Sequence, residues 1–325
     1  MKTRFVILAL AAVAALPLPA QQVVSLRARI EPWPETVVID GIEILHVQKN
    51  VYMLSGGGAN VTAQIGDEGI LLVDTGSPNQ GEKIVAAAQH LTKRPFRYIV
   101  DTSADADHAG GNAGAMKAGG GKFGAMNVPG RLINEGILEM STQNAMDRLV
   151  KGGVAGDAVP ESTFNTAHKS FYSNGEAVEL LAEPAAHSDS DAIVFFRGSD
   201  VISTGEVFRT DSYPVIDVAE GGTVAGELAA LNRILDITVP ERNEMGGTRV
   251  VPAYGRICNQ SDVLEYRDML TIIRDRIRDM VKKDLTLAQV KAARPTLEYD
   301  GLYGQSVVTG DRFIEVVYNE LSKRK

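Results

Sequence analysis

Residues Ile70-Leu71-Leu72-Val73 form an unbroken apolar run that stops abruptly at Asp74-Thr75-Gly76. A strand with one face in water alternates apolar and polar residues, so a run without alternation predicts a strand covered on both faces. A helix is predicted next, from about Gln80 to His90, with Ile84, Val85 and Ala88 on one face. Arg97-Tyr98-Ile99-Val100 then reads as a second strand, leading directly into Asp101-Thr102-Ser103-Ala104-Asp105-Ala106-Asp107-His108. Strand, helix and strand at this spacing make a βαβ unit. Sheets built from such units hold their ligands in loops beyond the carboxyl ends of the strands. The loops at 74–76 and 101–108 are therefore the first places to look for chemistry.

Before this unit, short β-branched segments predict strands at 37–39, 42–46, 51–54 and 61–65, with a hairpin turn at Asp67-Glu68-Gly69. After it, an Ala/Met-rich stretch within 109–125 is predicted to be helical, and so are 132–138 and 143–150, the last two reading as an insertion over one face. Strands are expected again from near Ser170, at 178–181, 192–196, 201–203 and 248–251, with 215–218 a loop or an edge strand. Amphipathic helices are expected at 226–235, 261–283 and 312–321. Strands followed by helices thus occur twice, in roughly equal halves. Two sheets packed face to face with helices outside, a four-layer αββα sandwich of the α/β class, satisfy that order. One domain is expected over 21–325, with a C-terminal helical extension from about 261.

Lys2 and Arg4, the apolar stretch from Phe5 to Leu18, and Leu18-Pro19-Ala20 read as a signal peptide over residues 1–20. A periplasmic or secreted protein without a membrane anchor is the expectation. The net charge of −8 and the absence of a basic stripe argue against a nucleic-acid partner and leave a small-molecule substrate or ligand. A single cysteine, Cys258, excludes an intramolecular disulfide, and beside apolar Ile257 it reads as a buried small hydrophobe.

Five loops at the ends of predicted strands carry polar groups: Asp74, the 101–108 segment, Glu206 and Tyr254 after a strand, and His187 just before the strand at 192–196. Asp105, Asp107 and His108 lie within four residues. Carboxylates held together away from water repel one another and need a shared proton or a cation. A divalent metal satisfies this spacing, and so does a solvated acidic loop that caps a helix. His46 in an alternating strand, His90 near a helix end and His168 in a polar loop have simpler structural readings. Trp33, between two prolines, reads as a packing anchor. No G-x-S-x-G elbow is present, and Gly119-Gly120-Gly121 lacks the Lys-Ser/Thr of a phosphate loop.

Five segments in order resemble the motifs of the metallo-β-lactamase superfamily. They are Gly-Ile-Leu-Leu-Val-Asp-Thr-Gly (69–76), the stretch from Asp101 to Asn112, Pro-Ala-Ala-His-Ser-Asp-Ser-Asp (184–191), Ser-Thr-Gly-Glu-Val-Phe (203–208) and Val-Pro-Ala-Tyr-Gly (251–255). The resemblance covers about residues 37–275. It implies the αββα sandwich and a metal site at the edge between its sheets.

The family pattern is T-H-x-H-x-D-H, and this chain departs from it. Ser103 and Asp105 stand where the first two histidines would be, while Asp107 and His108 match the Asp-His pair. His187 matches the third motif, Glu206 sits where many members have a bridging Asp after Gly, and Tyr254 replaces the last histidine. Asp74 matches a carboxylate that orients the ligands. The resemblance therefore implies an oxygen-rich ligand set of Asp105, Asp107, His108, His187 and Glu206, supported by Asp74 and Ser103. Such a set suits one divalent ion, Mn, Fe or Zn, better than a zinc pair. The activity implied is metal-assisted hydrolysis of an ester, thioester, lactone or amide, with Asp107 orienting the water and Tyr254 helping to stabilise the oxyanion. The alternative is a non-catalytic ligand-binding protein of the same fold that has lost the zinc site.

Overall fold

The computed structural model describes residues 36–123, 136–154, 156–242 and 246–323. The signal-peptide segment and Trp33 lie outside them. The first sheet holds β1 (Val37–Ile39), β2 (Ile42–Gln48), β3 (Val51–Ser55), β4 (Val61–Ile65), β5 (Ile70–Val73), β6 (Phe96–Val100), β7 (Leu138–Thr142) and β8 (Ser162–Phe164), paired in that order. Pairing is antiparallel through β5 and parallel from β5 to β8. The expected hairpin turn joins β4 to β5, closed by reciprocal backbone bonds between Gly66 and Gly69 of 3.1 and 3.3 Å. Helices α1 (Gly81–Leu91), α2 (Asn112–Gly119) and α3 (Gln143–Lys151) belong to this half.

The second sheet holds β9 (His168–Ser173), β10 (Glu176–Glu183), β11 (Asp191–Phe196), β12 (Val201–Ser203) and β13 (Arg249–Val251), with only β12 and β13 parallel. Its helices are α4 (Val224–Ile237), α5 (Gln260–Lys282), α6 (Leu287–Ala293), α7 (Asp300–Tyr303) and α8 (Gly310–Ser322).

The period-two alternation of strand side chains divides the interior into three apolar layers. Ile70 and Leu72 of β5 pack with Ile84, Val85 and Ala88 of α1. Leu71 and Val73 face the other way and meet Val194 and Phe196 of β11 between the two sheets. Ile193 and Phe195 of β11 then face Leu228 and Leu231 of α4, Leu270 of α5 and Phe313 of α8. Helix, sheet, sheet, helix is the four-layer order expected from the sequence. α5 and α8 are part of its outer core. Among the described residues no helix is long and apolar enough to cross a membrane.

Three expectations are corrected. The sheets are unequal, because 138–142 and 162–164 are strands that extend the first sheet rather than parts of an insertion. The helix expected at 132–138 falls partly on 132–135, outside the described residues, and Leu138 opens β7. The pattern misled because β7 reads Leu-Glu-Met-Ser-Thr: Met140 enters the core between the sheets, while Glu139 and Ser141 are buried polar groups on the opposite face. Residues 215–218 form a loop, and His168 opens β9 instead of lying in a loop.

Two glycines fix the loop that carries His187. A Cβ at Gly222 would stand 1.9 Å from the His187 carbonyl oxygen, and one at Gly226 would stand 1.9 Å from that of Ala185. The start of α4, capped by the Thr223 hydroxyl on the Gly226 N–H, can therefore press directly on the β10–β11 loop.

Candidate metal centre

The eight residues singled out in the sequence sit in loops after strands or just before one, but they form two groups. Asp74 ends β5 in the left-handed region (φ 65°), a conformation that Asp tolerates better than most residues. Its carboxylate is buried and turned onto the loop after β6. There it accepts the Thr102 N–H at 2.8 Å, the Thr102 hydroxyl at 2.6 Å and the Nδ1 side of His108 at 2.8 Å.

His108 has no exposed surface. With Nδ1 committed to Asp74, its Nε2 faces Glu206 Oε2 at 3.1 Å. Glu206 is buried in the short 3-10 turn Gly205–Val207 that follows β12. Asp107, the neighbour of His108 in sequence, completes the first group. One donor atom from each of Asp107, His108 and Glu206 can be chosen so that all lie within 4.8 Å of one another. Two ligands on opposite sides of one divalent ion stand about 4–5 Å apart, so this spacing fits a single coordination sphere. Two carboxylates and one imidazole are also a donor set that first-row divalent ions accept.

Asp107 is held from the last motif, where the Tyr254 hydroxyl donates to its Oδ2. The backbone ties the same two loops together: Ala59 N–H donates to the Asp107 carbonyl at 3.1 Å and Asn60 N–H to that of Ala253 at 2.7 Å. Burial and the adjacent Asp107 raise the Tyr254 phenol above its ordinary pKa, which leaves it a neutral donor and not an anionic ligand.

Asp105 and His187 form the second group. His187 Nε2 lies 2.7 Å from Asp105 Oδ2, and its Nδ1 lies 2.8 Å from the Val215 carbonyl. Burial opposes the charged imidazole, but Asp105, Asp191 and Glu206 outweigh it and lift His187 to about 10. Burial likewise opposes the charge on Asp105, and His187 overcomes it, so that carboxyl stays below its usual range. Ser103, fully buried, turns its hydroxyl back to accept the Asp105 N–H at 3.2 Å. Asp105 also borders a cavity of about 390 Å³ lined, among the described residues, by Ala104, Arg148, Lys151, Gly152, Asp217 and Glu220.

Arg209 was not singled out in the sequence. It is buried, donates to Glu206 Oε1 at 2.8 Å and to Asp211 at 2.8 and 3.1 Å, and lies 4.6 Å from the centre of the Tyr254 ring. One guanidinium thus braces both a candidate ligand and the residue that holds another. Its only sequence signal is its place three residues after Glu206. The remaining candidates have structural roles: His46 bonds the Lys49 carbonyl, and Cys258 is buried with its thiol pushed up to about 12, chiefly by that burial.

A sequence profile described as the metallo-beta-lactamase superfamily matches residues 54–284. None of the curated proteins matches the chain. Among solved structures, a stereoselective inverting sec-alkylsulfatase from Pseudomonas sp. aligns with a TM-score of 0.64 at 16% identity, over 85% of this chain and 50% of that one. The chain therefore spans about half the length of that relative. A metallo-beta-lactamase from Pontibacter korlensis aligns with a TM-score of 0.55 at 16% identity, over 71% of this chain and 99% of the other. One from Hirschia baltica gives 0.54 at 14% identity, over 70% and 97%. At these identities the likeness is one of fold.

Proposed function

The chain belongs to the metallo-beta-lactamase superfamily, and from that premise we propose that it is a hydrolase using one divalent ion held by Asp107, His108 and Glu206. The observation that carries this reading is the convergence of their donor atoms within 4.8 Å. An ion bound there would supply Lewis acidity, polarising the bond under attack and acidifying a water.

The protein's own groups have distinct tasks. Asp74 fixes the orientation of His108, so that Nε2 and not Nδ1 faces the centre. Arg209 occupies one oxygen of Glu206 and leaves the other turned to His108. Asp107, steadied by Tyr254, is placed to orient a water. Tyr254, as a neutral phenol, can donate to an oxygen that develops negative charge. Asp105 and His187 border the centre as a charged pair at the cavity, and bring the candidate set to five residues only if the pair opens.

Esters, thioesters, lactones and amides are the proposed substrate class. The sulfatase likeness adds sulfate esters to the compounds worth testing. The cavity beside Asp105 is lined largely by charged side chains, which favours a polar substrate portion there. Export is part of the same reading, supported by Lys2, Arg4 and the apolar stretch from Phe5 to Leu18.

A panel of these esters and amides, assayed with the metal-loaded protein and again after chelation, tests the proposal. Turnover that chelation abolishes and metal restores is expected. Binding of a panel compound without turnover at any loading would favour the non-catalytic ligand-binding reading instead. That second reading draws on one observation: each of the three donor residues already has a partner in the protein, in Tyr254, Asp74 and Arg209.

A further inference from the structure

Beneath the metal loop, on the α1/α2 side of the first sheet, lies a buried acidic pair that the reaction proposed above does not use. Asp101 ends β6 and Glu139 lies in β7, and neither exposes any surface. Asn112, at the start of α2, gives one amide hydrogen to each: its Nδ2 lies 3.1 Å from Asp101 Oδ2 and 2.6 Å from Glu139 Oε1. The other carboxyl oxygens, Asp101 Oδ1 and Glu139 Oε2, have no hydrogen-bond partner among the described residues. The single Asn112 amide nitrogen, in reach of both, holds the two carboxyl groups side by side.

Two ionised carboxylates in such a place would be strongly repulsive, with two buried lone pairs left unmet. A cation is a poor remedy, because the Asn112 amide already presents its positive edge to both groups. A proton is the better one, since a carboxylic acid can donate to the carboxylate beside it. We propose that Asp101 and Glu139 share one proton, forming a carboxylic acid–carboxylate pair that clamps the metal-bearing loop to β7.

The clamp works through Asn112. Its Oδ1 accepts the Thr75 hydroxyl at 2.6 Å, and that hydroxyl lies 3.3 Å from the His108 carbonyl. The pair is thereby joined to the backbone of a candidate ligand. The charged groups facing it are Asp74 from the end of β5, Lys122 after α2, and Glu161 ahead of β8. Lys122 is drawn off by the carbonyls of Gly156 and Val159, at 2.8 and 2.6 Å, and by Glu161 at 3.6 Å. Burial, reinforced for Asp101 by Glu139 and Asp74, raises the pKa of both acids. The folded chain then binds a proton that the unfolded chain releases above about pH 5, so the pair's contribution to stability falls as pH rises until the folded pair itself ionises.

Denaturant unfolding of the full chain and of Asp101→Asn, across a pH series, tests this. An amide at 101 keeps the donor to Glu139 and the acceptor for Asn112 but has no proton to lose. The ratio of the wild-type unfolding constant to that of the variant should rise about tenfold per pH unit from about pH 5 until the pair ionises. A ratio independent of pH overturns the proposal. Glu139→Gln should behave in the same way, and serves if Asp101→Asn does not fold. Infrared spectroscopy adds a direct readout: a buried protonated carboxyl band at neutral pH that is missing from Asp101→Asn or Glu139→Gln is expected, and a band unchanged in both variants, or absent from the wild type, overturns the shared proton.

Discussion

Asp74 and His108, 34 residues apart in sequence, meet with 2.8 Å between Oδ2 and Nδ1. This contact sets which ring nitrogen faces Glu206 and Asp107. It exists because β5 and β6 are parallel neighbours, so their carboxyl ends bring the two loops together. The unbroken apolar run Ile70–Val73 is what makes β5 a buried strand. The metal loop is oriented by the residue that terminates it.

Asp74→Asn should weaken metal binding about 10- to 100-fold without unfolding the chain. Asparagine tolerates the left-handed backbone at this position, but one amide side chain cannot accept from Thr102 and His108 as the carboxylate does. Competition with a chelator of known affinity measures the loss. An unchanged affinity would mean that Asp74 does not orient His108.

Arg209→Met should cost about 3–5 kcal/mol in the metal-free protein, because Glu206 keeps its buried charge and loses its strongest partner. A bound cation would replace part of that missing charge. Metal should therefore raise the Tm of Arg209→Met more than that of the wild type, as read by thermal unfolding with and without ion. Equal increments would separate Arg209 from the metal centre.

Metal affinity should rise with pH. Burial opposes protonation of His108, yet Asp74 and Glu206 together hold its pKa well above the ordinary value. The metal-free protein is thus protonated there at neutral pH, and an ion taking Nε2 must displace that proton. About one proton released per ion is expected, and about a tenfold loss of affinity for each pH unit lowered. Calorimetry in buffers of different ionisation enthalpy counts the protons. Uptake without proton release would rule out His108 as a ligand.

The layers of the fold were legible because Ile70–Val73 and 192–196 carry core residues on both faces, which only an interior strand does. β7 was not legible. Its Glu139 and Ser141 look like surface residues, but Glu139 is met by Asn112, 27 residues away in sequence, and Ser141 turns its hydroxyl onto the neighbouring Thr142 carbonyl. The acidic loop was found, but its division was not. Asp105 and Asp107 are two residues apart, yet one turns to His187 and the other to Tyr254, so spacing located the loop without assigning its atoms. Arg209 escaped for a similar reason, since a buried arginine reads like an exposed one until its partners are known.

The metal content of the purified chain, measured by elemental analysis after incubation with Mn²⁺, Fe²⁺ or Zn²⁺, tests the central claim most directly. One ion per chain is predicted, lost in both Asp107→Ala and His108→Ala while each variant stays folded. No metal recovered from the wild type under any of the three conditions, or full occupancy retained in both variants, would contradict a centre built on Asp107, His108 and Glu206.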